Sequence, residues 1–156
     1  MRDVTLATLA QIGAALAHPG RLRILALLRE GALYVCPIRT VLGFPASTVS
    51  VHLAVLRRAG LVGEEKFGRW IRYRLTSEEP MGSMVREILH LAKDDPHVIA
   101  DADLINAVRR VPVDGLCRAG FDLAKLGLVG PGCRRRTKLA VTSPGDAPDT
   151  RELEAT

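Results

Sequence analysis

The sequence has no apolar run approaching the roughly 18 residues that a membrane span needs. Its first residues lack the basic-then-apolar pattern of a secretory leader. A membrane-spanning or exported protein is not expected, and the cytosol is the expected compartment. Cysteine is scarce: Cys36, Cys117 and Cys133 form an odd, widely spaced set. They cannot make a disulfide framework, a reducing compartment would keep them as thiols, and their spacing fits no standard zinc pattern. Internal repeats are also lacking. What is present is 156 residues, the length of one domain or of one domain with an extension. At 47% hydrophobic residues the chain has enough apolar surface to exclude disorder throughout.

Acidic side chains are few in the first half. Residues 1–80 hold 11 basic and 6 acidic side chains, whereas residues 81–156 hold 11 of each. The entire net charge of +5 therefore originates in the first half, which points to a polyanion-binding surface there.

Residues 3–17 read as an amphipathic helix, with Leu6, Leu9, Ile12 and Leu16 at helical spacing. His18-Pro19-Gly20 breaks it, and Pro19 suits the first turn of a second helix, where backbone donors are unpaired anyway. That helix runs to about Glu30 and ends at Gly31. A third is expected over Pro37–Leu42, stopped by Gly43, with Cys36 at or near its N-cap. A fourth opens after Phe44-Pro45 and runs to Ala59, with Gly60 just past its end. Its buried stripe is Val49, Leu53 and Leu56, and its other face presents Ser47, Thr48, Val51, His52 and Val55. Between Leu61 and Leu75 the period becomes two. Ile71, Tyr73 and Leu75 alternate with Trp70, Arg72 and Arg74, and Lys66-Phe67-Gly68-Arg69 forms the tip of the implied hairpin.

This order describes a mostly α fold with a small β-hairpin, the winged helix-turn-helix. Residues 39–74 hold seven basic and two acidic side chains, so the charge excess coincides with the elements that would face DNA. The start of the fourth helix would enter the major groove, making Ser47, Thr48, Ser50 and His52 the candidate contacts. Lys66, Arg69, Arg72 and Arg74 on the wing would supply salt-sensitive backbone affinity. The competing reading has Ser47 and Thr48 merely capping the helix and His52 in solvent. Trp70 is expected to pack at the hairpin. Residues 81–95 make a further amphipathic helix limited by Pro96, a short helix is expected over Asp101–Arg110, and residues 114–126 hold one more. The expected organisation is a winged-helix DNA-binding and dimerisation domain over 1–95, an extension over 96–140, and a disordered tail over 141–156.

The run Ala17-His18-Pro19-Gly20-Arg21-Leu22-Arg23-Ile24-Leu25 resembles the second helix of ArsR/SmtB-type repressors. Thr48-Val49-Ser50-Val51-His52-Leu53-Ala54-Val55-Leu56-Arg57-Arg58-Ala59-Gly60-Leu61-Val62 resembles their recognition helix and its exit into the wing. Gly68-Arg69 followed by Tyr73-Arg74-Leu75 is similar to their hairpin ending, and the likeness covers about residues 4–95. It implies a cytosolic homodimeric repressor joined through its first and fifth helices. Such a repressor leaves operator DNA when an inducer, often a metal or metalloid ion, binds.

Three departures matter. His18 stands where many relatives carry an acidic capping residue, which implies a weaker helix start. Val51 stands where an Arg is common, removing one phosphate or base contact. Arsenic-responsive relatives often carry Cys-Val-Cys-Asp-Leu-Cys where this chain has Tyr34-Val35-Cys36-Pro37-Ile38-Arg39, with one thiol of three. As(III) and Sb(III) favour three thiolates. The expected inducer site therefore joins Cys36 to Cys117 and Cys133, with the helix N-terminus favouring the Cys36 thiolate.

Alternatives differ in chemistry. Two cysteines could instead close as a disulfide or polysulfide under oxidant or reactive sulfur. Zinc on the fifth helix would use Glu87, His90 and Asp94, which read better as a solvated stripe. A cysteine enzyme would need His18 as base to Cys36, and no catalytic signature surrounds either, so neither enzymatic activity nor an organic cofactor is expected. A non-specific DNA-coating protein would ignore both operator and inducer.

Overall fold

The computed structural model describes residues 4–128. Cys133 and the tail expected over 141–156 lie outside the described residues.

Helix α1 (Leu6–Leu16) starts at Thr5, whose hydroxyl accepts the N–H of Thr8. It packs on α2 (Pro19–Arg29), and the corner is held by Arg21, whose guanidinium donates to the carbonyls of Ala15 at 2.6 Å and Ala14 at 2.9 Å. A two-residue strand β1 (Leu33–Tyr34) runs into α3 (Val35–Leu42). Gly43 ends α3 at φ 69°, a left-handed conformation that an L side chain resists. That turn redirects the chain into α4 (Ala46–Arg58) at 113° to α3, the crossing expected of a helix-turn-helix.

Strands β2 (Val62–Phe67) and β3 (Trp70–Leu75) form the wing hairpin. With β1 they build one antiparallel sheet in the order β1-β3-β2, in which Leu33 faces Tyr73 and Phe67 faces Trp70. Helix α5 (Met81–Leu91) follows, then α6 (Pro96–Val108) and α7 (Val113–Arg118). The core is continuous. Ile24 and Leu25 of α2, Ile38 of α3 and Leu53 and Leu56 of α4 are completely buried, as are Ile105 and Val108 of α6 and Leu116 of α7. The winged helix-turn-helix is therefore walled on the side of α2 and α3 by the last two helices.

The structure corrects several boundaries. The third helix begins at Val35, two residues before Pro37, so Cys36 lies inside its first turn and Tyr34 is the N-cap. Pro96 opens α6: Asp95 caps it through bonds from the N–H groups of His97 and Val98, and the proline takes the first helical position. The fifth helix ends at Leu91, and the helix expected over 114–126 is complete at Arg118. Strand β1 was not anticipated, because two residues are too short for any period to register.

Candidate nucleic-acid interface and thiol pair

The exposed side of α4 carries Ser47 and Ser50, with Thr48 half-buried beside them. The N-cap of α4 is Pro45 and no side chain closes it, so neither hydroxyl is spent on capping. Val51 stands out on the same side, 61% exposed. His52 does not share that face. It is 8% exposed and belongs to the buried stripe with Val49, Leu53 and Leu56, which corrects its expected role as a DNA contact. The reason is helical geometry: positions 49, 52, 53 and 56 follow the i, i+3, i+4, i+7 rule of a single face.

His52 packs its ring 4.5 Å from that of His18 and 6.1 Å from that of Phe44. His18 in turn caps α2, its Nδ1 accepting the N–H of Gly20 at 3.0 Å, so the imidazole supplies the cap that an acidic residue would otherwise give. An imidazolium could not accept that bond. Both rings are held below their ordinary pKa, His52 by burial, then by His18 and Arg21, and His18 by burial and then Arg21. The Nδ1 of His52 is buried without a hydrogen-bond partner among the described residues.

On the wing, Lys66 and Arg69 are exposed. Arg72 and Arg74 are both gripped by Glu65, at 3.0 Å and 2.8 Å to its two carboxylate oxygens. Glu64 pairs with Arg57 at the end of α4 at 2.5 Å. Arg69 lies 5.2 Å from the Trp70 ring, and Arg72 stands 5.2 Å from that of Phe67. Trp70 meets Tyr34 edge-on, as the packing expectation requires. The two glutamates were missed as partners. A two-residue turn at Gly68-Arg69 sets the register, which puts Glu65 opposite Arg72, so the pairing could have been counted outward from that turn.

Of the expected thiol trio, two members lie among the described residues. Cys36 on α3 is half-buried and Cys117 on α7 is exposed, and the two helices that carry them pack against each other. Burial pushes the Cys36 thiol up from its ordinary pKa, and Cys117 adds to the rise against an opposing pull from Arg39. The direction expected for Cys36 is thereby corrected: desolvation outweighs any favour that the helix N-terminus gives the thiolate. Three further contacts seat the last two helices. Arg23 makes a bidentate bond to the buried Asp101 at 2.7 Å and 2.9 Å. Arg109 donates to the carbonyls of Glu30 and Gly31 at 2.7 Å and 3.3 Å, and Arg39 lies 3.8 Å over the Phe121 ring. Glu87, His90 and Asp94 are all exposed on or just past α5. Among the described residues no three His, Cys, Asp or Glu side chains gather as a metal site.

The sequence model described as "Bacterial regulatory protein, arsR family" matches residues 18–64. The chain is 40% identical over 93 residues to the HTH-type transcriptional regulator CmtR of Mycobacterium bovis, covering 58% of this chain and 79% of that protein. It is 44% identical over 66 residues to the arsenical resistance operon repressor of Escherichia coli K12, covering 42% of this chain and 56% of the relative. Among solved structures, the homodimeric winged helix-turn-helix DNA-binding domain of Mb0332 from Mycobacterium bovis matches with a TM-score of 0.51 at 29% identity, over 62% of this chain and 94% of that one. With α3, α4 and the wing in the helix-turn-helix arrangement and four-fifths of a clearly similar regulator covered, the chain belongs to the arsR family of bacterial regulatory proteins.

Proposed function

We propose that this protein is a cytoplasmic homodimeric transcriptional repressor that holds operator DNA and releases it when a thiophilic inducer, As(III) or Sb(III) first, binds its cysteines. Ser47, Thr48 and Ser50 would meet the major groove, and Lys66, Arg69, Arg72 and Arg74 the phosphates. Two helices support the dimer. Leu6 of α1 is 85% exposed and Leu91 of α5 is 79% exposed, and apolar surface of this kind on two helices marks a protein interface.

The single observation that supports the inducer reading is the packing of α7, which carries Cys117, against α3, which carries Cys36. Soft sulfur donors select soft ions, and α3 leads through Gly43 directly into α4. Cys133 would complete the trio. An inducer that draws these thiols together would bias α3, and through it α4, away from the DNA-bound placement; a coupling of about 1–3 kcal/mol is typical. Footprinting of upstream DNA with and without As(III), Sb(III), Zn(II) and Cd(II) tests the reading. Release by As(III) is expected in the parent and not in Cys36→Ser. Release that persists in Cys36→Ser would overturn the site, and equal protection of random duplexes would identify a DNA-coating protein instead.

A further inference from the structure

Two of the four histidines, His18 and His52, meet between the start of α2 and the inner face of α4. Their ring centroids lie 4.5 Å apart, and the ring of Phe44, from the turn between α3 and α4, stands 6.1 Å from that of His52. The seat is tight. A Cβ at Gly20 would come within 3.0 Å of the Phe44 ring and 3.1 Å of the His18 ring, so glycine there lets the rings close on one another. The packing also requires both imidazoles to be neutral. His18 accepts the N–H of Gly20 through Nδ1 at 3.0 Å, which puts its own proton on Nε2. Protonated at Nδ1, it would face a donor with a donor and lose the cap of α2. His52 is 8% exposed, and an imidazolium there would carry an Nδ1–H with no acceptor among the described residues, in a place closed to solvent.

The surroundings supply cations and no compensating anion. Arg21 bears on both rings, and no carboxylate among the described residues offsets a charge on either. Helix α1, packed on α2, has no charged residue. On α3, Arg39 lies over Phe121, and Cys36 sits in the first turn, at the far end from Phe44. On β2, Glu64 is taken by Arg57 and Glu65 by Arg72 and Arg74, while Lys66 is exposed. We infer that the His18–His52 pair is a proton-operated switch, which seats α4 for DNA while both rings are neutral and releases the duplex when either ring takes up a proton. Proton uptake at His18 breaks the cap and turns its ring out of the contact. Uptake at His52 drives that ring toward water, and with it the face of α4 that holds Val49, Leu53 and Leu56 in the core. One proton suffices, since rings this close beside Arg21 repel a second charge. A duplex on the outer face holds α4 seated, so the bound protein takes up fewer protons than the free one. Both rings titrate below the ordinary 6.5, so affinity is full above about that pH and falls as pH falls through the ring values. Ordinary surface histidines act in the opposite direction, because their added charge draws a polyanion closer. The switch rests on α4 meeting the duplex, and not on the thiol inducer.

The test uses the full chain and a fluorescent duplex that it selects from a random pool at pH 7.5. Anisotropy at constant ionic strength should show binding weaker by about fivefold or more at pH 5.5 than at pH 7.5, while the circular dichroism of the free chain stays native. His18→Asn, which caps a helix without titrating, and His52→Leu should each shrink that loss, and the double variant should abolish it. His90→Gln and His97→Gln, on α5 and α6, should leave it intact. If the substitutions at 18 and 52 unfold the chain, the ring Cε1 protons of the parent decide. Added duplex should lower the titration midpoints of His18 and His52 and not those of His90 and His97. Affinity that rises in acid, a loss undiminished in both His18→Asn and His52→Leu, a loss that tracks unfolding of the parent, or midpoints unmoved by duplex would each overturn the switch. A chain that selects no duplex at pH 7.5 fails at the operator reading and takes the switch with it. Tight binding that is level across the pH range sinks the switch alone.

Discussion

The wing and the seam between α2 and α6 both rest on guanidinium–carboxylate pairs, in opposite surroundings. Arg23 and Asp101 meet with side chains 12% and 1% exposed, and both nitrogens of the fork are used. Arg72 and Arg74 share Glu65 with every side chain more than a third exposed. Water screens the second set, so it adds little to stability and would give way to a competing phosphate. The first set is nearly cut off from water, and loss of Asp101 would strand the Arg23 guanidinium. The same chemistry thus serves as a fixed strut in one place and as a set of cations held in reserve in the other.

The sharpest way to break the comparison is Asp101→Ala, which leaves the Arg23 guanidinium between α2 and α6 without its carboxylate. A loss of about 3–5 kcal/mol is expected in urea unfolding, enough to unfold a marginal domain. Glu65→Gln should act on binding instead. It frees Arg72 and Arg74, so duplex affinity should rise several-fold at low salt and fall more steeply with salt, while stability changes by less than about 1 kcal/mol. Arg72→Ala and Arg74→Ala should each lower the slope of log affinity against log salt by about 1. Fluorescence anisotropy across a salt series reads all three variants. If Glu65→Gln instead costs stability as Asp101→Ala does, the distinction between strut and reserve fails.

The smallest effect concerns pH. His18 and His52 have folded pKa values below the ordinary 6.5, so the unfolded chain binds more protons as pH falls through that range. Their contribution is therefore fully present above about 6.5 and is lost as pH falls toward the folded values. Thermal melts between pH 8 and pH 5 should show this decline. His52→Leu, which replaces a buried ring with an unpartnered nitrogen, should change stability at pH 7.5 by no more than about 1 kcal/mol and flatten part of the acid limb. An unchanged limb in both His52→Leu and His18→Asn would assign the decline to other groups.

Much of the fold was legible because its punctuation is chemical. Pro19, Gly31, Gly43 and Gly60 stand at helix ends, and the switch to a period of two at Leu61 announced the hairpin. Ser47, Ser50, Lys66, Arg69 and Arg74 stand exposed, as their place in the helical and strand patterns requires. His52 misled because its polar character suggested solvent, although its position in the helical repeat placed it with Leu53 and Leu56. Pro96 misled because proline both ends one helix and begins another, and only the Asp95 cap decides which. The packing of α7 on α3, which bear Cys117 and Cys36, joins distant segments, which no local spacing encodes.

The end of α2 depends on a residue made much later. The carbonyls just past it, at Glu30 and Gly31, take donors from Arg109, and its Arg23 waits for Asp101, 78 positions further on. During synthesis α2 is made before either partner exists. The nascent chain must carry an uncovered cation and an unfinished helix end until α6 emerges. Final closure of the DNA-binding half is therefore timed by translation of the helices behind it.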